Sequence, residues 1–153
     1  MKHKIAAVAA IALVLPAAAG ARIVPQRGIA GVTLNMTQAQ LREKLGAPDT
    51  VTHRNSPPLG RYTTWFYGKT SVDMMRDGGA KVFNISTTSR SEKTAAGVGV
   101  GSTAAQVRTG VRGARCDAQH CFIGRFDPGR KVTDFTLSKT GRVTRVTIGY
   151  VLD

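Results

Sequence analysis

The two cysteines are the clearest candidates for chemistry in this sequence. Cys116 and Cys121 are separated by four residues. In an oxidising compartment an even pair of cysteines favours a disulfide, which here would close a tight loop. The alternative is a reactive dithiol, but the spacing is not C-x-x-C and no helix begins after the pair to lower a thiol pKa. The sequence therefore predicts a Cys116–Cys121 disulfide.

The remaining candidates for catalysis do not combine into a known arrangement. His53 and His120 each stand without a carboxylate at ligand spacing, and a metal site needs three or four convergent ligands. Asp73 and Asp77 fall in a predicted strand and a predicted turn. The glycine-rich segment 97–101 lacks the G-K-[ST] of a phosphate-binding loop. We therefore predict no catalytic residue, no metal, no cofactor and no enzymatic activity.

Residues 1–21 have the composition of a secretory signal peptide. Lys2 and Lys4 precede the apolar run Ile5–Leu15, and small residues follow, with cleavage expected near Ala19 or Ala21. An N-terminal membrane anchor is the alternative, but a run of about 11 residues is shorter than the roughly 20 needed to span a bilayer. We expect a secreted, extracellular or periplasmic protein with no stable transmembrane anchor.

The charge of the chain limits its partners. The formal net charge is +13, and +11 remains when Lys2 and Lys4 leave with the signal peptide. For an exported protein the expected acidic partners are wall polymers, anionic lipid heads or acidic protein surfaces, rather than nucleic acid. General solubility without a specific partner is the alternative. The positive residues are spread along the chain and point to no single patch.

A sequence repeat predicts the elements that would position these residues. Residues 31–42 return as residues 97–108 with six of twelve positions identical. In each copy a threonine, Thr37 or Thr103, precedes a glutamine by three residues, which is the spacing of a capping box at a helix start. We therefore predict two tandem units: a lead-in at 22–30, unit one at 31–88, a polar linker at 89–96 and unit two at 97–153.

Strands are predicted after each helix. β-Branched and aromatic residues separated by turns indicate strands at 61–67, 71–75, 81–88, 122–126, 132–138 and 142–151. Residues 47–60 read as a polar loop. The predicted fold class is α+β, with two tandem units that each pack a short helical segment on a three- or four-stranded antiparallel meander. The two meanders can merge into one curved sheet.

Residue alternation predicts which side chains the helices leave uncovered. If alternation holds, the open face carries Trp65, Tyr67, Asn84, Arg125 and Arg145, which are the candidate partner-binding residues. Tryptophan, tyrosine and arginine dominate the energetics of many interfaces. The alternative for the two aromatic residues is that they pack within the protein.

The sequence also resembles known families. The motif G-V-x-L-x-M-T-x-A-Q-L-x-x-x-L-G-x-P at 31–48, the aromatic run 65–67 and the K-V-x-x-I at 81–85 resemble the β-lactamase inhibitor protein (BLIP) family and the SmpA/OmlA (BamE) outer-membrane assembly lipoproteins. The resemblance covers residues 28–153. It implies a binding role without catalysis. Two tandem units, export and cysteines in a loop favour the inhibitor family, because the lipoproteins have one unit and a lipidated cysteine.

These observations support two functions. The first is a secreted, non-catalytic, inhibitor-like module that binds an extracellular or envelope protein through its open sheet face. The alternative is a cell-envelope association module that binds anionic wall polymer or lipid through its basic surface. The two differ in their response to salt, because binding to a polyanion weakens steeply as ionic strength rises. A hydrolase would need a cluster of histidines or carboxylates that the sequence does not offer.

Overall fold

A computed structural model describes residues 22–57, 59–76 and 79–152. The predicted signal peptide lies outside the described residues. Of those residues, 48% are in strand and 12% in helix. The predicted α+β class is therefore wrong, and the protein is mostly β. The two helices are only eight and seven residues long, and each buries one side chain completely. The sheets are larger than predicted, because several strands were missed.

The N-terminal segment is a small sheet rather than an extended lead-in. Its three short antiparallel strands are β1 (Ile23–Val24), β2 (Gly28–Ile29) and β3 (Val32–Thr33), in that order. Ile23, Ile29 and Val32 are completely buried. The backbone amide of Ile23 donates to the carbonyl of Lys93 at 3.0 Å, so the predicted linker packs against this sheet.

The main sheet has eight antiparallel strands. They are β4 (Thr50–Ser56), β5 (Gly60–Tyr67), β6 (Thr70–Met75), β7 (Val82–Thr87), β8 (Arg115–Cys116), β9 (His120–Gly124), β10 (Lys131–Leu137) and β11 (Val143–Tyr150). Their order across the sheet is β4-β5-β6-β7-β11-β10-β9-β8. The strands that follow each helix thus occupy opposite halves of the sheet in mirrored order, and β7 and β11 join the halves.

The two helices begin as the repeat predicts. They are α1 (Gln38–Leu45) and α2 (Ala104–Gly110), and each starts with a complete capping box. The hydroxyls of Thr37 and Thr103 accept from the amides of Gln40 and Gln106, whose side chains accept in return from the cap amides. Leu41 and Val107 anchor the helices in the core. No helix among the described residues is long and apolar enough to cross a membrane.

One apolar core lies between the main sheet and the helices. Trp65, Val72, Ile85 and Ile148 face one another across four neighbouring strands and are all buried. They belong to one cluster that also contains residues of both helices and of the small sheet. Because the cluster takes residues from both predicted units, the two units share a single core. The opposite face of the main sheet carries the alternate side chains.

Candidate functional site

The candidate site is the second face of the main sheet, which we call the open face. One row across it runs from Phe66 through Ser71, Ser86, Thr147 and Asp134 to Phe122. Alternation adds the neighbouring polar and aromatic side chains of the same strands: Arg54, Tyr62, Thr64, Asp73, Asn84, His120, Thr136 and Arg145. Unlike the core row, this face is composed mainly of polar residues.

A fixed carboxylate lies in the first half of the open face. The hydroxyl of Thr64 donates to one oxygen of Asp73 at 2.7 Å, and the amide of Asn84 donates to the other at 2.8 Å. Glycine at position 149 makes this arrangement possible, because an added Cβ would lie 2.5 Å from the Asn84 side-chain oxygen. Each carboxylate oxygen keeps a free lone pair for a partner's donor.

A second fixed carboxylate lies in the other half. The hydroxyl of Thr136 donates to Asp134 at 2.8 Å, and Nδ1 of His120 lies 2.9 Å from the second oxygen. Asp73 and Asp134 occupy corresponding strands, β6 and β10. The expectation that His120 stands without a carboxylate is thus wrong, because the β9–β10 pairing brings Asp134 to it across a distance of 14 residues in sequence. The part of the chain that the structure describes contains no group of three or more His, Cys, Asp or Glu residues that could hold a metal ion.

An aromatic pair lies at one end of the open face. The rings of Phe122 and Phe126 meet edge-on with centroids 5.0 Å apart, and the guanidinium of Arg115 lies 5.1 Å from the Phe122 centroid. Phe126 is 58% exposed, more than any other large hydrophobic residue described. Neither phenylalanine is among the residues predicted from the sequence to bind a partner. The only sequence signal for an exposed position there is the turn at 127–129, which places Phe126 where a strand ends.

A shallow depression of about 390 Å³ occupies the first half of the open face. Positive side chains line it at Arg54, Lys69 and Arg145, and Asp73 lies among the same lining residues. Its aromatic lining comes from Tyr62 and Phe66. The depression therefore combines excess positive charge with apolar contact area.

The structure separates the five predicted partner-binding residues. Asn84 and Arg145 lie on the open face. Arg125 follows β9 in a loop, where it is exposed and its Nε lies 3.0 Å from Asp127. Trp65 and Tyr67 lie on the covered face, which corrects their predicted position.

The register of strands β5, β6 and β7 explains why Trp65 lies on the covered face. Trp65 pairs with Val72, and Val72 with Ile85, so the tryptophan is 1% exposed. The guanidinium of Arg42 lies 4.9 Å from its ring centroid. A shift of one residue in the assigned alternation moves every side chain of a strand to the other face. Tyr67 lies on the same covered face and is half-buried, and this burial raises the pKa of its hydroxyl.

The predicted disulfide is confirmed. Cys116 and Cys121 are bonded and pair across β8 and β9. Cys121 is completely buried, and both sulfur atoms lie within 4.0 Å of the carbonyl of Ala104 on α2. The bond therefore fixes the edge of the sheet beneath a helix and beside His120.

Asp117 organises the loop inside the disulfide, and its effect should depend on pH. Its carboxylate accepts from the amides of Gln119 and His120 at 2.8 and 2.7 Å, and these bonds lower its pKa. A lowered pKa adds stability that is present above the unfolded pKa and is lost as the pH falls through the folded pKa. We therefore expect the difference in urea midpoint between wild type and Asp117→Asn to shrink as the pH falls below about 4. A difference that stays constant between about pH 2 and pH 6 would contradict this.

Comparisons with known proteins bear on the fold. No protein-family model matches the chain, and no curated protein matches it. The chain is similar to the solved structure of an extracellular protein containing an SCP domain from Bacillus anthracis str. Ames, with a TM-score of 0.57 and 10% identity. The match covers 76% of this chain and 44% of that one, so this chain spans less than half its length. The likeness concerns the fold alone.

A second solved structure also matches. It is a DUF4309 family protein (YjgB) from Bacillus subtilis subsp. subtilis str. 168, with a TM-score of 0.44 and 14% identity over 85% of this chain and 88% of that one. The resemblance to the β-lactamase inhibitor protein family and to the outer-membrane assembly lipoproteins stays a prediction, because no protein-family model matches the chain.

Proposed function

We propose that the protein is a secreted, non-catalytic, inhibitor-like module that binds a protein partner through its open face. The observation that carries this proposal is Phe126, a large apolar side chain that is 58% exposed at the end of a mainly polar sheet face. Export is supported by the composition of residues 1–21 and by the disulfide, which is typical of oxidising compartments.

The fixed polar groups suit a protein partner. Asp73 and Asp134 are each held by two side chains, from the two neighbouring strands for Asp73 and from one neighbouring strand and its own strand for Asp134, so ordering them on binding costs little further entropy. Aromatic anchors surrounded by such polar groups are the usual composition of an energetically dominant interface patch. Phe122 holds Phe126 from one side, which limits the positions available to the exposed ring.

Alanine at Phe126 should weaken partner binding by at least about tenfold, because a large anchor at an interface contributes more than 1.4 kcal/mol. The partner would be captured from the organism's own culture by the mature protein and its affinity measured by surface plasmon resonance. Val24→Ala is the matched control, since Val24 is 42% exposed but belongs to the small sheet behind the core. Equal affinities for wild type and Phe126→Ala would remove the open face as the binding surface.

Inhibition of a β-lactamase is the narrow form of this proposal. A panel of purified β-lactamases assayed with the mature protein tests it directly. Inhibition that is lost in Phe126→Ala supports the narrow form. No inhibition of any enzyme removes it and leaves the broader binding role.

The alternative function is association with anionic envelope polymer or lipid. It is favoured by the exposed Arg54, Lys69 and Arg145 around the depression. Binding of this kind would fall steeply with salt, whereas docking through Phe126 would persist. Pelleting the mature protein with isolated cell envelopes at low and high salt separates the two.

A further inference from the structure

A second groove lies on the other side of the sheet, between α1 and the edge strand β4. It has a volume of about 300 Å³. Val51, Trp65 and Met74 line its apolar base, and of these three only Val51, at 41%, is exposed. Arg42, His53 and Arg76 surround it, and no carboxylate is among the described residues that line it. The groove is thus apolar at its base and positively charged at its rim.

Neighbouring side chains position two of the polar groups around this groove. The guanidinium of Arg42 lies 4.9 Å from the centroid of Trp65, which orients it over the apolar base. His53 is positioned from β5 by a contact of 3.2 Å between Nδ1 and the Thr63 hydroxyl. Neither Arg42 nor Arg76 forms an ion pair with another described residue. An acidic ligand would meet the Arg42 guanidinium already in position.

Strand β4 borders this groove and has an open edge. It is the first strand of the sheet order, and no described strand pairs with its outer side. It is seven residues long, and Val51 on it is 41% exposed. The opposite edge is different, because β8 has two residues and is tied by the disulfide. An unpaired strand edge of this length is a template for another extended chain.

We propose that β4 accepts an extended acidic peptide segment of a partner protein as an additional strand. The peptide backbone pairs with the open edge of β4, and an apolar side chain enters the groove against Val51 and Trp65. Acidic side chains on the same face of the peptide, two residues before and two residues after the apolar one, meet Arg42 and Arg76. Strand addition of this kind takes affinity from the main chain and specificity from pockets for alternate side chains.

Charge selects an acidic peptide over a second copy of the chain. The protein carries a formal charge of +13 in all, and β4 itself contributes Arg54 without a carboxylate. Pairing two β4 strands would bring these like charges together, which is destabilising. An acidic segment removes the repulsion and neutralises the rim of the groove.

A heptapeptide tests the proposal, because it matches the length of β4. The probe is fluorescein-labelled Thr-Glu-Thr-Val-Thr-Glu-Thr amide, whose glutamates and valine share one face of an extended strand, and the comparison peptide replaces each glutamate with lysine. We expect saturable binding of the first and about tenfold weaker binding of the second, measured by fluorescence anisotropy. Hydrogen exchange should show new protection of the amides of Thr50–Ser56 in the complex.

A pair of N-methylated peptides tests backbone pairing separately from charge. In an antiparallel pair only alternate residues of the added strand donate to the edge. N-methylation of the second, fourth and sixth peptide residues and N-methylation of the first, third and fifth should therefore affect binding unequally, with one set abolishing it. Equal binding by both methylated peptides would overturn strand addition.

Variants locate the charge contribution. Arg42→Ala and Arg76→Ala should together weaken the acidic probe about tenfold. Arg108→Ala is the matched control, since Arg108 occupies the corresponding position on α2. Arg76→Ala alone separates the rim charge from any loss of stability caused by removing the Arg42–Trp65 contact.

Several results would overturn the proposal. No saturable binding at about 1 mM probe would do so, as would protection outside β4 or equal effects of the Arg42 and Arg108 variants. Sedimentation showing a dimer whose β4 amides are already protected would assign the edge to a second copy. None of these results affects the open face, because Phe126 lies at the other end of the sheet.

Discussion

Alanine at Phe135 is expected to lower the free energy of unfolding by about 3–5 kcal/mol. Phe135 is completely buried in β10, where it pairs with Cys121 on one side and Val146 on the other. Removing its ring leaves a cavity beneath α2, and the rigid sheet cannot collapse to fill it. Urea unfolding followed by the fluorescence of Trp65, the single tryptophan of the chain, provides the measurement.

Phe126→Ala is the control for this prediction. The same change of side chain at a position that is 58% exposed should alter stability by no more than about 0.5 kcal/mol. A comparable loss in both variants would contradict the division of the sheet into a covered and an open face. The pair also shows that any binding defect of Phe126→Ala does not come from unfolding.

Replacing both cysteines with alanine is expected to lower the free energy of unfolding by about 2 kcal/mol from loop entropy alone. Because Cys121 is completely buried, the lost sulfur atoms add a packing cost. The double variant would be compared with wild type in urea, with and without a reductant. We expect the reductant to destabilise wild type and leave the variant unchanged.

The outcome that would contradict this is equal stability of oxidised wild type and the double variant. The short β8 would then be held by its strand pairing and by α2 without help from the bond. A reductant effect on the double variant would instead indicate an artefact of the conditions, because the described residues contain no free cysteine.

The sequence predicted the local elements with strong signals. The capping boxes at Thr37 and Thr103 are formed, and each of the six strands predicted from composition overlaps an observed one. Strand β4 was missed because its residues, Thr50–Ser56, are largely exposed and show no apolar alternation. An edge strand needs only its neighbour to form, so its own sequence carries little signal.

The assignment of faces was less predictable. The run Thr63–Tyr67 offers bulky residues at successive positions, so composition does not indicate which of Trp65 and Phe66 turns inward. Only the pairing with Val72 and Ile85 settles the matter. Where polar and apolar residues do alternate, as around Asn84, the predicted position on the open face agrees with the structure.

The candidate site depended on contacts that are distant in sequence. The His120–Asp134 contact arises from the β9–β10 register, and the Phe122–Phe126 contact from the chain just beyond the end of β9. Local pattern cannot supply either of these, since the partners come from different strands or lie beyond a strand end. The disulfide was predictable because two cysteines in a chain expected to enter an oxidising compartment favour a bond with each other.

The junction between β7 and β11 has a consequence for the time course of folding. Ser86 and Thr147 meet there although 61 positions separate them, so the two halves of the sheet join only when the last strand has left the ribosome or translocation pore. Until then β7 is an unprotected border of the incomplete first half, and such borders recruit other chains. A chaperone that holds β7 during export would therefore improve the yield of soluble protein.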